Sequence, residues 1–298
     1  NEGYDLCPGF SSVTVFNKQA FDDIVLTHNI KRFWIFWGES SIKVWSLAQA
    51  SFVWIDKSYS YQHKQASLSL RPGSTSSHRI IYDPSRQKMI LFGGESGSSL
   101  TWEWDGEQWV SYSSGNPANG SYYAMAYLPG TGIVLFNDGE TWIRSGTTWT
   151  QVYPVSSPGV RHGSYMVYDV NNDKIILFGG YNGSFLNDTW KFDGSNWSQV
   201  STTGPGTRQM HAMAYDANIA KVVLFGGYGS SHYTDTWAWD GSSWSEITVS
   251  GSPPVNKINH AMIYDPIDQS VVMYGGFGED GEQRIYKNET WRFKDSTW

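Results

Sequence analysis

Cysteine, charge and long apolar segments are scarce in this chain of 298 residues, and each shortage excludes a class of protein. The single cysteine, Cys7, rules out an internal disulfide and a cysteine-based metal cluster. Charged residues make up 16% of the chain, with a net charge of −7 and no basic block, so we expect no nucleic-acid partner. The longest apolar runs, such as Phe33–Trp37, are far shorter than the ~20 residues that span a bilayer, so we expect no membrane insertion.

Aromatic residues and glycine, in contrast, are abundant. Aromatics reach 16% of the chain, with 16 tryptophans, and there are 31 glycines. This composition is typical of short strands and tight turns, with large aromatic side chains packed between sheets.

An internal repeat determines the fold prediction. Each unit has a strand ending in Tyr-Asp, a strand ending in Phe-Gly-Gly, a Trp in a third strand, and another Trp seven residues later. The Trp pairs are Trp102/Trp109, Trp142/Trp149, Trp190/Trp197, Trp237/Trp244 and Trp291/Trp298. An Asp-Gly turn separates three of these pairs, and Asp-Gly between alternating apolar residues indicates a hairpin.

Two of the repeats depart from the pattern. The third has Asn137-Asp138 in place of Gly-Gly, which keeps residue types that tolerate unusual backbone angles. The first is degenerate, with Trp45 and Trp54 as its Trp pair. The sequence therefore predicts one all-β domain over residues 1–298, a six-bladed β-propeller with blades at about 19–60, 74–113, 120–153, 161–202, 208–250 and 257–298. Residues 11–16 are expected to form a closing strand that completes the last blade.

The pattern Phe-Gly-Gly, Thr-Trp and Asp-Gly-x-x-Trp resembles the kelch repeat of the galactose-oxidase-like superfamily, and the resemblance covers nearly the whole chain. It implies four antiparallel strands per blade, with the Tyr-Asp strand innermost and the second Trp on the outermost strand. It implies a fold rather than an activity. The copper radical site of galactose oxidase needs a cysteine cross-linked to tyrosine, and Cys7 lies outside any predicted inner strand. We therefore expect no catalysis, no metal site and no cofactor.

One face of such a propeller carries the candidate binding site. The loops from Gly-Gly to Trp and the loops between blades lie on this long-loop face, and their lengths vary as functional loops do. Arg161, Arg208 and Lys257 precede three inner strands and form a predicted basic arc. In stress-response kelch adaptors, to which these positions are similar, arginines grip acidic peptides. The alternative is that the arc pairs with loop acids such as Glu279 and Asp280. The predicted ligand-binding residues are Arg161, His162, Arg208, His211, Lys257, His260, His78, Tyr122, Tyr123, Arg284 and Tyr286.

The predicted function is recognition of a partner polypeptide through this face and the channel mouth. Lectin-like glycan binding is an alternative, because several tyrosines near the face could stack on sugars: Tyr122, Tyr123, Tyr181, Tyr228 and Tyr233. Two further alternatives are a structural subunit of an extracellular assembly and a galactose-oxidase-like enzyme. Five N-glycosylation sequons, against about three expected by chance, favour a secreted or cell-surface glycoprotein. They lie at Asn119, Asn182, Asn187, Asn196 and Asn288.

Overall fold

The computed structural model describes residues 35–37, 41–46, 51–56, 71–94, 99–118, 120–201, 203–255, 257–280 and 283–298. The chain divides into two compact units, residues 1–67 and 68–298. The described part of the first unit is an antiparallel meander of β1 (Ile35–Trp37), β2 (Ser41–Ser46) and β3 (Ser51–Asp56). The innermost strand predicted for this repeat and the predicted closing strand at 11–16 lie outside the described residues.

The second unit is built from consecutive antiparallel meanders. The second repeat contains β4 (Arg79–Asp83), β5 (Lys88–Phe92), β6 (Thr101–Trp104) and β7 (Trp109–Tyr112). The third contains β8 (Ala124–Leu128), β9 (Gly132–Asn137), β10 (Glu140–Ser145) and β11 (Thr148–Val152). The fourth contains β12 (Tyr165–Asp169), β13 (Lys174–Tyr181), β14 (Phe185–Phe192) and β15 (Trp197–Ser201). The fifth contains β16 (Ala212–Asp216), β17 (Lys221–Phe225), β18 (Thr236–Trp239) and β19 (Trp244–Glu246).

The sixth repeat differs from these four. Its sheet has three described strands, β20 (Ala261–Asp265), β21 (Ser270–Tyr274) and β24 (Thr290–Phe293). A separate hairpin of β22 (Phe277–Asp280) and β23 (Gln283–Tyr286) is inserted between β21 and β24. After β24, Thr297 forms a parallel bridge with Ser250 of the fifth repeat.

These sheets are the blades of an all-β propeller, and the four-stranded antiparallel blade is confirmed in the second to fifth repeats. The first strands of successive blades, β4, β8, β12, β16 and β20, are neighbours, so the Tyr-Asp strand is innermost as expected. The second unit contains five blades, not six. The described strands of the first repeat form a sheet of their own in the first unit, and its sequence is the most degenerate, with Trp37-Gly38 at the Gly-Gly position and nine residues between its tryptophans.

The second Trp of the third to sixth repeats packs between blades, which confirms its predicted role in the inter-blade core. Trp149, Trp197, Trp244 and Trp298 each contact a phenylalanine of the preceding blade, with ring centroids 4.6–5.5 Å apart. Each indole N–H also donates to a threonine hydroxyl of that preceding blade, at 2.8–2.9 Å. The acceptors are Thr101, Thr141, Thr189 and Thr236. A buried indole therefore has both an apolar contact surface and a hydrogen-bond partner.

The structure explains why two glycines stand at this point of the repeat, because backbone from neighbouring segments lies very close to them at the long-loop face. Gly179 and Gly180 both have positive φ, at 61° and 109°. A Cβ on Gly179 would lie 2.5 Å from the carbonyl oxygen of Arg208 in the next blade, and one on Gly180 would lie 3.0 Å from that of His162. In the third repeat, Asp138 has φ 47°, which confirms that the substituted pair also needs an unusual backbone angle.

Candidate functional site

The mouth of the channel is framed by backbone hydrogen bonds that run from blade to blade. In each described blade, the residue two positions before the inner strand has a left-handed backbone conformation, with φ between 53° and 67°. The five residues are Ser77, Tyr122, Gly163, Met210 and Asn259. From Tyr122 onward, each N–H donates to the carbonyl of the equivalent residue in the preceding blade, at 2.8–3.3 Å. The mouth is therefore a fixed frame from which neighbouring side chains project.

The predicted basic arc is buried and paired within each blade. Arg161 donates to both carboxylate oxygens of Asp188 at 2.6 and 2.8 Å, and Arg208 pairs in the same way with Asp235 at 2.6 and 2.7 Å. Lys257 donates to Glu289 at 2.8 Å. These partners differ from the acids considered from the sequence, Glu279 and Asp280, whose side chains lie outside the described part of the structure.

The paired acids share a position that the sequence displays. Each stands two residues before the first Trp of its repeat and also accepts that indole N–H, as Asp188 does from Trp190 at 2.7 Å. Burial alone would raise the pKa of Asp188, but hydrogen bonds from Arg161 and Trp190 outweigh it and lower the pKa. These pairs favour a structural role for Arg161, Arg208 and Lys257 over ligand binding, because a ligand would have to displace an existing carboxylate.

The predicted histidines lie in different environments. His162 is exposed, His78 is half-buried, and His211 and His260 are buried. His211 packs edge-on against Phe178 with ring centroids 5.4 Å apart, and among the described residues neither of its ring nitrogens has a hydrogen-bond partner. The described residues contain no group of three or more metal-ligating side chains.

Burial of two histidines predicts acid sensitivity. Burial and the charge of Lys257 lower the pKa of His260 from 6.5 to about 3, although a backbone contact with Phe225 acts in the opposite direction. Burial and Arg208 lower the pKa of His211 well below its usual value. An unfolded histidine takes up a proton near pH 6.5, so between pH 6.5 and about 3 the unfolded state binds more protons than the folded state.

We therefore expect the free energy of unfolding to fall as pH falls through this window, by up to about 1.4 kcal/mol per pH unit for each histidine. Urea denaturation across pH 7 to 4 measures the slope. His260→Gln should flatten the slope, because it removes one of the two buried imidazoles. An unchanged slope in His260→Gln would contradict the assignment of the acid sensitivity to buried His260.

The predicted aromatic and hairpin residues also separate into buried and accessible groups. Tyr123 is fully buried, its hydroxyl donates to the carbonyl of Ala118, and burial raises its pKa to about 12. It therefore lies below the surface that a sugar would reach. Tyr233 lies under Arg208, with the guanidinium carbon 3.9 Å from the ring centroid. Tyr122 is half-buried, Tyr286 is 77% exposed, and Arg284 lies in β23 of the inserted hairpin.

Arg79 is a candidate site residue that was not predicted from the sequence. It begins the inner strand β4, and its guanidinium carbon lies 5.3 Å from the ring centroid of Tyr165, two blades away. The equivalent residue of the intervening blade is the small Ala124, which lets the side chain extend that far. Among the described residues Arg79 has no carboxylate partner, and burial lowers its pKa against the opposing effect of Tyr165 and Tyr122. The sequence did contain a sign of this residue. In the described blades, the first position of the inner strand is Ala or Tyr except in the second repeat, where it is the charged Arg79.

A continuous row of aromatic rings crosses from the fourth to the fifth blade. It starts at His162 and passes through Tyr181, Phe185 and Tyr228 to His232, with successive ring centroids 5.1–5.6 Å apart. We call these five residues the aromatic row. None of them is buried. The row exists because β13 and β14 extend past Gly179 and Gly180 to the pair Tyr181 and Phe185, while Tyr228 bridges to both Gln209 and His232 in the fifth blade.

The five blades described in the second unit, with the frame of backbone hydrogen bonds at their inner ends, define a β-propeller. The profile of the KLHDC2/KLHL20/DRC7 Kelch-repeats domain matches residues 141–298, so the chain belongs to the Kelch-repeat family. A solved structure described as "Structure of YjhT" is similar in fold, with a TM-score of 0.59 over 74% of this chain and 83% of that chain, at 14% sequence identity. No curated protein matched the sequence. The described residues include no helix long and apolar enough to cross a membrane.

Proposed function

We propose that this chain is a non-catalytic recognition module that binds a partner polypeptide through its long-loop face and channel mouth. Kelch propellers are protein-binding modules, which supports the general class. The observation that carries the proposal is Arg79. The Arg79 guanidinium is partly buried, and a partly buried guanidinium is stabilised by a carboxylate, which none of the described residues supplies. An acidic side chain of a partner would supply it.

A selection experiment tests this proposal. A displayed library of random dodecapeptides is selected on the wild-type chain and in parallel on Arg79→Ala. We expect Asp or Glu to be enriched at one position on the wild type only, and the selected peptides to bind Arg79→Ala at least about 10-fold more weakly, as expected for a lost charge-assisted hydrogen bond. Arg79→Lys should retain part of the affinity.

Two results would overturn it. One is the absence of any enriched peptide. The other is equal affinity of the selected peptides for the wild type and Arg79→Ala. Arg292→Ala is the matched control, because that arginine is exposed and paired with Asp268 away from the channel.

Glycan binding remains the alternative that the aromatic residues support. Of the predicted tyrosines, Tyr181 and Tyr228 are not buried and belong to the aromatic row. A glycan-array signal lost on Tyr228→Ala would support it. The structural-subunit alternative requires a broad apolar patch, and the described residues with the largest apolar exposure include Val155 and Tyr153. Use of the five sequons and a secreted location stay predictions, which mass spectrometry of the native protein would test.

We also propose that the first repeat supplies a sixth blade, closed by residues 11–16. The support is apolar exposure on the two outermost blades of the second unit. Ile80 on β4 is 49% exposed, whereas its equivalent Met125 is buried. Ile263 on β20 is 69% exposed, whereas its equivalent Ala214 is buried. In the middle blades the residues at these two positions face a neighbouring blade. Their exposure on the second and sixth repeats is what we expect if a further blade covers them in the complete propeller.

If a sixth blade covers these faces, Ile263→Asp should lower the free energy of unfolding by about 2 kcal/mol or more, because it would bury a charge. Chemical denaturation followed by circular dichroism measures the change. Ile267→Asp is the control, because Ile267 lies in the turn after β20 and is almost fully exposed. Equal, near-zero effects of the two substitutions would count against a covering blade.

A further inference from the structure

The loop between β13 and β14 carries a chemical feature that the proposed function does not use. Residues 182–184 form this loop and connect the last paired residues of the hairpin, Tyr181 and Phe185. We propose that Asn182 is a site of spontaneous modification, where the side-chain amide is lost through a cyclic imide formed with the backbone nitrogen of Gly183. The product is aspartate or isoaspartate, and the inference does not depend on what the long-loop face binds.

The sequence restricts this reaction to very few asparagines. The attacking nitrogen belongs to the residue after the asparagine, and a side chain on that residue obstructs ring closure, whereas glycine has no Cβ. Asn182 is followed by Gly183, while the exposed Asn196 and Asn218 are followed by tryptophan and isoleucine. The other Asn-Gly pair of the chain begins at Asn119, which lies outside the described residues.

The structure leaves the attacking nitrogen accessible. Asn182, Gly183 and Ser184 are all exposed. Gly183 has φ 104°, and a Cβ built on it would lie more than 4 Å from every heavy atom beyond its two chain neighbours. Within the described part of the chain, its N–H donates to no acceptor. Water or hydroxide can therefore reach this N–H and remove its proton.

A hydrogen bond within the loop orients and activates the side-chain amide. The N–H of Ser184 donates to Oδ1 of Asn182 at 3.3 Å, an Asx-turn contact that directs the carboxamide toward the backbone following it. The same bond withdraws electron density from Cγ, the atom that the nitrogen attacks. The backbone N–H of Asn182 also donates to the carbonyl of Ser184 at 3.2 Å, which stabilises the loop in this arrangement.

The reaction balances with water as its only co-reactant. The deprotonated nitrogen of Gly183 forms a bond to Cγ of Asn182, and the bond from Cγ to Nδ2 breaks. Nδ2 takes up a proton from water and leaves as ammonia. Water then opens the ring at one of its two carbonyl carbons. Opening at Cγ gives aspartate, and opening at the former backbone carbonyl gives isoaspartate, in which the main chain runs through Cβ.

The Asp-Gly turns of the chain provide a comparison for the same chemistry. Asp193 and Asp240 also precede a glycine with positive φ in a hairpin turn. Backbone N–H groups of the turn donate to each carboxylate and lower its pKa, to about 2 for Asp240. An ionised carboxylate is a poor electrophile. These turns should therefore remain intact at neutral pH while Asn182 reacts.

Modification of Asn182 changes the long-loop face. Either product adds a negative charge to the loop, and isoaspartate also adds an atom to the main chain between Tyr181 and Phe185. Both of these side chains belong to the aromatic row, so the charge and the geometry at this end of the row change as the protein ages. Loss of the amide also removes the sequon, and a glycan on Nδ2 would block the reaction, so the two modifications exclude each other.

The experiment incubates the full, unglycosylated chain at physiological temperature and at several pH values from neutral to mildly alkaline. The solvent is water enriched in heavy oxygen, and peptide mapping by mass spectrometry locates and counts the incorporated label. We expect label at Asn182, with isoaspartate among the products, at a rate that rises with pH because the attacking nitrogen must lose its proton. Asn196 and Asn218 should react at least about 10-fold more slowly, because a side chain on the next residue raises the barrier.

Two variants test the assignment. Gly183→Ala should slow the reaction at least about 10-fold, because its Cβ obstructs ring closure. Asn182→Gln keeps an amide at the same position and should take up almost no label, because a larger ring forms much more slowly. Thermal unfolding of both variants is measured in parallel, since alanine is strained at φ 104°.

Two results would overturn the proposal. One is label at Asn182 that appears no faster than at Asn218. The other is a folded Gly183→Ala variant that reacts as fast as the wild type. If Gly183→Ala does not fold, the comparison of wild-type Asn182 with Asn218 and with Asn182→Gln decides the matter.

Discussion

Trp197→Ala is expected to lower the free energy of unfolding by about 3–5 kcal/mol, the range for removing a fully buried large aromatic side chain. Trp197 is buried, its ring contacts Phe136 of the preceding blade edge-on at 5.4 Å, and it also packs against Phe192 of its own blade. Truncation leaves a cavity at the interface of the third and fourth blades and removes the donor to the buried hydroxyl of Thr141. Chemical denaturation followed by tryptophan fluorescence and circular dichroism measures the loss.

Two control variants divide this effect into its parts. Trp197→Phe keeps an aromatic ring but removes the N–H, so its effect should be intermediate. Val155→Ala changes a residue that is 97% exposed and should stay within about 0.5 kcal/mol of the wild type. A loss below about 1 kcal/mol in Trp197→Ala would show that the second Trp of the repeat is not a wedge between blades.

Arg208→Met is expected to lower the free energy of unfolding by about 3–5 kcal/mol, because it leaves Asp235 without its partner at a largely enclosed site. Arg208 is fully buried, and it donates to both oxygens of Asp235 and to the carbonyls of Gly206 and Gly226. Asp235→Asn should act in the same direction, because it leaves the buried guanidinium without a counter-charge. The double variant Arg208→Met/Asp235→Asn should lose less than the sum of the two single losses.

The exposed ion pair in the sixth blade provides the control. Arg292 and Asp268 are both well exposed, so Arg292→Met should cost no more than about 1 kcal/mol. The experiment also decides between the two interpretations of the basic arc. If Arg208→Met has wild-type stability but no longer binds a selected peptide, Arg208 is a ligand residue and the structural assignment is wrong.

The blade architecture could be predicted from the sequence because its determinants are local. The interval of seven residues between paired tryptophans spans one hairpin, and each Asp-Gly turn is closed by its own aspartate. Asp240, for example, accepts the backbone N–H groups of Ser242 and Ser243 at 2.9 and 2.8 Å. The positions of the inner strands and of the outermost tryptophans followed from the same repeat and are confirmed in the second to fifth repeats.

The candidate site could be predicted only in part. The sequence predicted a binding site on the long-loop face and placed Arg161, Arg208 and Lys257 there, either as ligand-binding cations or as partners of loop acids. Their partners, Asp188, Asp235 and Glu289, lie 27 to 32 residues away. A pairing at that distance depends on how the second and third strands bring the loop back beside the start of the inner strand. Tyr123 was misplaced for a similar reason, since its neighbour Tyr122 takes the left-handed conformation and directs the next side chain inward.

By itself, the sequence determined the all-β blades, their order, their turns and the tryptophans that fill the space between them, because each depends on neighbours within one repeat. The tertiary structure alone decided which charged and aromatic side chains remain accessible. Burial of the basic arc, the reach of Arg79 past Ala124 to Tyr165, and the contact between Phe185 and Tyr228 all join different repeats or distant parts of one. Contacts between blades depend on the angle at which the blades meet, and no spacing along the chain encodes that angle.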